Sequence, residues 1–210
     1  QLLKPNGVLI IEVQYLLDML KNNIYDNIYH EHIHYWSANS INNLFKKINA
    51  HVFKFEKIDT HGGSLRCFVK LNNNLNYKDK TKAFINNEND NGIKKNLLYK
   101  KFSKKIYKQK KKFSKFLLVN KKKNILGYGA AAKTSTALNF FKIKNYKFSI
   151  IDDNKLKQGN YIPGTNIKIV AKESVNTKID YLIVFAWNYF SEIKKKIKIA
   201  KKIISIREFI

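Results

Sequence analysis

The 210-residue chain has one cysteine, two arginines and no apolar run long enough to span a bilayer. Cys67 alone excludes an internal disulfide framework and fits a reducing, cytoplasmic setting. Acidic residues are scarce as well: 15 Asp and Glu stand against 41 Lys and Arg, a net charge of +26. That charge invites a nucleic-acid reading. Apart from Arg66 and Arg207, however, every positive residue is lysine, and the forks that read base edges and phosphates are typically arginine. The lysines are spread over the whole chain among Asn and Ile, as on solvated faces. Neither a nucleic acid nor a membrane is therefore expected as a partner. The charge favours small anions through a weak, salt-dependent attraction.

What is present is concentrated in one stretch, Asn27-Ile28-Tyr29-His30-Glu31-His32-Ile33-His34-Tyr35-Trp36-Ser37. Three of the five histidines fall within five residues, beside a carboxylate, two tyrosines and a tryptophan. Imidazole titrates near neutral pH and is the usual general base. Glu31 is placed to orient a neighbouring imidazole, and a tyrosine hydroxyl to hydrogen-bond a developing oxyanion. Two other readings stand beside this one. The stretch can be a half-buried strand whose histidines satisfy their own hydrogen bonds. It can equally be a metal site, since His30, His32 and His34 share one face of a strand.

Along the chain, Pro5-Asn6-Gly7 marks a turn, and Val8 to Val13 reads as a buried parallel strand with Glu12 near its carboxyl end. Ligands of open α/β sheets sit beyond such ends. A short helical cluster follows from Tyr15 to Leu20. Ser37 or Ser40 is placed to cap a helix through Ile41, Leu44, Phe45 and Ile48. Val52–Ile58 and Leu65–Leu71 alternate and are joined by Thr60-His61-Gly62-Gly63-Ser64, an antiparallel hairpin. The polar stretch 72–92 forms a boundary. One amphipathic helix is predicted from about Ile93 to Val119, with Ile93, Leu97, Phe102, Ile106, Phe113 and Leu117 inward.

Strands at Lys123–Tyr128, Phe148–Asp153, Tyr181–Ala186 and Lys202–Ile206 then alternate with helices, the signature of a parallel α/β sheet. Gly127-x-Gly129-x-x-Ala132 with Asp152 at the next strand end fits a dinucleotide fingerprint. It fits equally a helix N-terminus holding any phosphate, with Lys133 in the first turn, or a tight turn needed only for packing.

Six blocks in order resemble one family: Glu12-Val13-Gln14-Tyr15; Tyr29-His30-Glu31-His32 with Tyr35 and Ser37; Thr60 to Arg66; Gly127-Tyr128-Gly129-Ala130-x-x-Lys133; Lys157 to Thr165; and Trp187-Asn188. The chain is similar to the S-adenosylmethionine-dependent C-methyltransferases that methylate C3 of a nucleotide-linked 4-keto-6-deoxyhexose. The resemblance implies an α/β fold: the C-terminal part of a class I methyltransferase Rossmann sheet in residues 1–75, then a second small Rossmann-like substrate domain in 76–210 with a long leading helix. It also implies a zinc module and most of the S-adenosylmethionine site outside these residues. The chain opens on Gln1, inside what reads as the end of a helix, so the expectation is a fragment without turnover on its own.

By the same resemblance His32 is the base at C3, and Tyr29 and Glu31 position the sugar and support the enolate or the imidazolium. His61 touches the substrate or supports groups that do, Gly129 and Lys133 hold the diphosphate, and Tyr161 and Asn188 are ligand contacts. The metal reading recedes, because an imidazole acting as base keeps its lone pair free. The alternative reading is a non-catalytic or NAD-linked nucleotide-sugar binding module built on the Gly127 turn, which leaves the Tyr29–His32 cluster without a task.

Overall fold

The structure is a computed structural model that describes residues 3–4, 6–60, 62–71, 80–143 and 148–210. These residues form two compact units, one of 1–24 with 33–103 and one of 25–32 with 104–210. No helix among the described residues is long and apolar enough to cross a membrane.

In the first unit, β1 (Leu9–Gln14) is followed by the short helix α1 (Leu16–Lys21), α2 (Ala38–Lys46), and the hairpin β2 (Ala50–Ile58) and β3 (Ser64–Leu71). Helix α3 (Lys82–Asp90) comes next. Ser37 caps α2, since its hydroxyl accepts from Ser40 N–H and its own N–H donates to the Ser40 hydroxyl. The sheet order is β1-β3-β2, antiparallel throughout. The expectation of β1 as a buried parallel strand is thus corrected. Among the described residues its partner is β3, in antiparallel register from Leu9↔Val69 to Gln14↔Ser64. Val8 and Ile10 remain exposed, Ile10 at 56%. A continuous apolar run cannot by itself distinguish a buried strand from one with an open face.

Tyr15, Leu17, Ile41, Phe45, Val52, Phe55, Leu65 and Val69 pack into this unit's core. The hairpin turn depends on Gly63, whose φ is +129 and where a Cβ would lie 2.5 Å from Asp18 Oδ2. Only glycine gives both that dihedral and that approach. Helix α3 falls where the sequence reads as a polar boundary. Its apolar residues are few, though Phe84 and Ile85 pack on the core, and it is also tied down by Glu88, which is fully buried.

The second unit takes in the rest of α4 (Asn96–Val119), a 24-residue helix, followed by β4 (Ile125–Tyr128), α5 (Ala132–Phe141), β5 (Ile150–Ile151), β6 (Ile169–Val170), β7 (Ile179–Val184), α6 (Phe190–Lys196) and β8 (Ala200–Ser205). The α4 helix begins three residues later than its periodicity predicts, and Leu97 points to solvent at 60% exposure. Phe102, Ile106, Phe113 and Leu117 are buried as expected.

The five strands form a parallel sheet in the order β6-β5-β4-β7-β8. Leu182, Ile183 and Val184 are fully buried, as a strand covered on both faces requires. Phe113 is also fully buried, and its ring meets Phe141, Phe185 and Phe209 at 5.6, 6.2 and 5.1 Å. Burying such a side chain contributes about 1.5–3 kcal/mol. The chain leaves β4 towards β5 and β6, then returns to the other side of β4 through β7 and β8. That reversal places the ligand-binding crevice of a parallel sheet at the carboxyl end of β4.

Candidate active site

Residues 25–32, which carry Tyr29 and His32, belong to the same compact unit as this parallel sheet. They are not a strand. Tyr25–Asn27 is one turn of 3-10 helix, and His32 N–H closes a further turn on the Tyr29 carbonyl at 2.9 Å. The strand reading of the histidines, with His30, His32 and His34 on one face, is therefore corrected. Alternation failed because aromatic and polar residues alternate here within turns.

The turn holds His32 by both ring nitrogens. Nδ1 lies 2.8 Å from the Asn27 carbonyl oxygen. A carbonyl can only accept, so Nδ1 carries the proton and donates it. Neutral His32 then keeps its lone pair on Nε2, 3.3 Å from the Tyr29 hydroxyl, and the two rings lie 4.3 Å apart. Burial, and then the charges of Glu31 and Asp26, hold the Tyr29 phenol above its usual range, so the hydroxyl keeps its proton at neutral pH. Glu31 points elsewhere: its carboxylate reaches His30 Nε2 at 3.8 Å, with both side chains well exposed. His61 lies outside the described residues. Among the described residues no three His, Cys, Asp or Glu side chains come together as metal ligands.

A cavity of about 440 Å³ opens beside Tyr29, lined also by Ala131, Leu156, Lys157, Tyr161 and Pro163. Its floor is the turn between β4 and α5. Tyr161 is 57% exposed on its wall, free to stack on an incoming ring. The α5 N-terminus has Ala131 at its N-cap position, so no N-cap side chain bonds the helix, and Thr134 N–H donates to the Ala131 carbonyl at 2.9 Å. A helix N-terminus favours a nearby negative charge.

Gly129 sits in the turn with φ +94, and a Cβ there would lie 2.8 Å from that of Ala186. Its carbonyl accepts a hydrogen bond from buried Thr134. The fingerprint acid Asp152 is already engaged: Oδ2 accepts from Ala130 N–H at 2.6 Å and Oδ1 from Asn154 N–H at 2.9 Å. Lys157 Nζ binds the Ala130 carbonyl at 2.9 Å. The turn is thus braced from inside by the carboxylate that a dinucleotide site would spend on a ribose.

Lys133 and Asn188 meet on another side of the same turn. Lys133 Nζ lies 3.4 Å from Asn188 Oδ1 and 4.4 Å from the centre of the Trp187 ring. The Arg207 guanidinium is 4.8 Å from the same ring. Both cations are partly desolvated, and burial lowers both pKa values, opposed by the carboxylate of Asp26. Asp26 itself is 5% exposed and accepts from the Trp187 indole N–H at 2.5 Å. Burial holds its carboxyl above the ordinary range against the pull of Trp187, Lys133 and Arg207.

The expected site residues therefore gather in two places within this unit, Tyr29 and Tyr161 on the cavity, and Lys133 and Asn188 beside Trp187. Asp26 and Arg207 were missed by sequence reasoning. Asp26 stands among Asn22, Asn23 and Asn27, so no local signal set it apart. The Gly127–Gly129 turn packs closely on Ile150 and Ala186.

Residues 59–204 match the family model described as the C-methyltransferase C-terminal domain. The chain is 31% identical over 197 residues to the C-methyltransferase NovU of Streptomyces niveus, covering 91% of this chain and 47% of that protein. It spans about half the length of the curated relative it matches. On both counts the chain belongs to the C-methyltransferase family, and its residues 59–204 are that family's C-terminal domain.

Proposed function

We propose that this chain supplies the enolising and sugar-binding half of an S-adenosylmethionine-dependent C-methyltransferase acting on C3 of a nucleotide-linked 4-keto-6-deoxy sugar. The observation that carries the proposal is the state of His32, whose Nδ1–H is committed to Asn27 and whose Nε2 lone pair faces Tyr29. A proton next to a ketone is weakly acidic and leaves only to a placed base with support for the enolate oxygen. Nε2 of His32 takes the C3 proton. The Tyr29 hydroxyl, protonated at neutral pH, donates to the oxygen that gains charge. Glu31, which pairs with His30 in the free chain, remains the candidate to position the sugar and support the enolate or the imidazolium. Methyl transfer to the carbanion then needs the methyl donor.

The cavity beside Tyr29 supports a place for the nucleotide sugar, with Tyr161 stacking on a ring and the α5 amides near an anion. Gly129, Lys133 and Asn188 remain the candidates for the diphosphate, and His61 for a contact near the sugar. We assign residues 1–75 to the end of a methyltransferase sheet, a reading that the open edge of β1 supports, and 76–210 to the substrate domain. The setting is cytoplasmic. An NAD-linked binding module is disfavoured by the engagement of Asp152.

The test is methyl transfer by the full gene product. Incubated with S-adenosylmethionine and TDP-4-keto-6-deoxyglucose, it gains one methyl at C3 by mass and NMR, and His32→Ala does not. Absence of transfer to any keto-sugar, alongside tight nucleotide binding, contradicts the proposal. The 210-residue chain alone is expected to show no turnover.

A further inference from the structure

A buried carboxylate is costly unless it serves a purpose, and Asp26 has one oxygen without any hydrogen bond. It lies in a three-residue 3-10 turn, too short to hold its own shape. Two anchors fix that turn. The Tyr25 ring packs on Phe140 and Phe141 at 5.7 and 5.8 Å. Asp26 Oδ2 accepts from the Trp187 indole N–H at 2.5 Å. Trp187 opens the 3-10 turn three residues beyond Val184, the buried last residue of strand β7, and is itself flanked by Lys133 and Arg207. The residue after Asp26 is Asn27, whose carbonyl receives the His32 Nδ1 proton at 2.8 Å. The residue whose carboxylate Trp187 holds is therefore the immediate neighbour of the residue whose carbonyl sets the imidazole.

We propose that the Asp26–Trp187 pair is the positioning device of His32: by fixing the Tyr25–Asn27 turn to the end of β7 it aims the Asn27 carbonyl at Nδ1, and so selects the tautomer with a bare Nε2. Asp26 and Trp187 are positioning residues here and touch no reacting atom. The inference rests on the reading of His32 as the base only for its consequence in catalysis. The tautomer itself is a property of the chain without ligand. In water the other tautomer, with Nε2 protonated, is the preferred form of a free imidazole, so losing the carbonyl partner reverses the balance rather than blurring it.

The experiment uses the 210-residue chain labelled with nitrogen-15 in histidine, with two-bond proton–nitrogen correlations assigning the tautomer and His32→Gln identifying the resonance. In the unsubstituted chain Nδ1 is protonated and Nε2 bare, and a protonated Nε2 there overturns the proposal at once. Trp187→Phe removes only the indole N–H donor. It is expected to shift the ratio several-fold towards the Nε2–H form while circular dichroism and the melting midpoint report a folded chain. Asp26→Asn keeps an oxygen acceptor for the indole and retains the original tautomer. A folded Trp187→Phe with unchanged nitrogen shifts overturns the proposal, as does Asp26→Asn losing the tautomer. Should Trp187→Phe not fold, Asp26→Leu, of like shape without an acceptor, is read the same way. Since no substrate is present, failure of methyl transfer elsewhere counts against the functional reading and leaves this measurement untouched.

Discussion

The Nδ1 of His32 lies 2.8 Å from the main-chain carbonyl oxygen of Asn27, five residues back along the same turn. Its acceptor is main chain, so the bond depends on the turn that carries Asn27 and not on the Asn27 side chain. The substitution that tests the other nitrogen is Tyr29→Phe, which removes the hydroxyl at Nε2 and keeps the ring. In the full gene product it is expected to lower kcat by about 10- to 100-fold with little change in KM, the mark of a group needed in the transition state. A raised KM at constant kcat would instead make Tyr29 a simple substrate contact.

Gly129→Ala meets two obstacles, a φ of +94 and a Cβ 2.8 Å from that of Ala186. Together they are expected to cost about 2–4 kcal/mol in urea unfolding. Gly159→Ala is the control: its φ is +85, but nothing lies within 4 Å of the added carbon. It is expected to cost only about 1 kcal/mol from the dihedral. Equal costs at the two positions would mean that the close packing of the β4 turn on Ala186 carries no weight.

Much of this was legible in the residues. The apolar runs read as parallel strands at Lys123–Tyr128 and Tyr181–Ala186 lie at Ile125–Tyr128 and Ile179–Val184, because a strand covered on both faces is largely apolar. Tyr29, His32, Gly129 and Lys133 stood out through chemistry and glycine spacing. Three things stayed hidden. The direction of β1 depends on its partner β3, more than fifty residues away, which no local pattern encodes. Helix α3 is tied to α2 by Glu88, whose three donors belong to Ala38 and Asn39 rather than to its own helix. Asp26 reads as an ordinary polar turn residue until the indole of Trp187, 161 positions later, is seen to reach it.

Glu88 accepts from Ala38 N–H at 2.5 Å, from Asn39 N–H at 2.9 Å and from the Asn39 amide at 2.6 Å. It therefore neutralises the N-terminal amides of α2 from another helix, where a negative charge is favoured. Glu88→Ala leaves those buried donors unsatisfied and is expected to cost about 2–3 kcal/mol in denaturant unfolding. A change below about 0.5 kcal/mol, the range of an ordinary surface site, would show that water replaces the carboxylate without loss.

Cys67 is fully buried, and burial pushes its thiol from 9.0 to about 12. The folded chain thus binds this proton more tightly than the unfolded chain. Its contribution to stability is complete below pH 9 and declines as the pH rises from about 9 towards 12. Cys67→Ala is expected to flatten that part of the stability–pH curve, measured by urea unfolding at each pH. A thiol reagent at pH 8 is expected to leave the native chain unmodified and to react once urea unfolds it. Prompt reaction of the native chain would place the thiol at the surface.

The most direct test of the central claim, that His32 removes the C3 proton, needs no methyl donor. The full gene product is mixed with TDP-4-keto-6-deoxyglucose in deuterated water, and the C3 proton signal is followed by NMR. The account predicts loss of that signal at a rate far above the uncatalysed one, reduced in His32→Ala by about 100-fold or more, as removal of a general base entails. Exchange at the unsubstituted rate in His32→Ala would contradict it and move the base elsewhere.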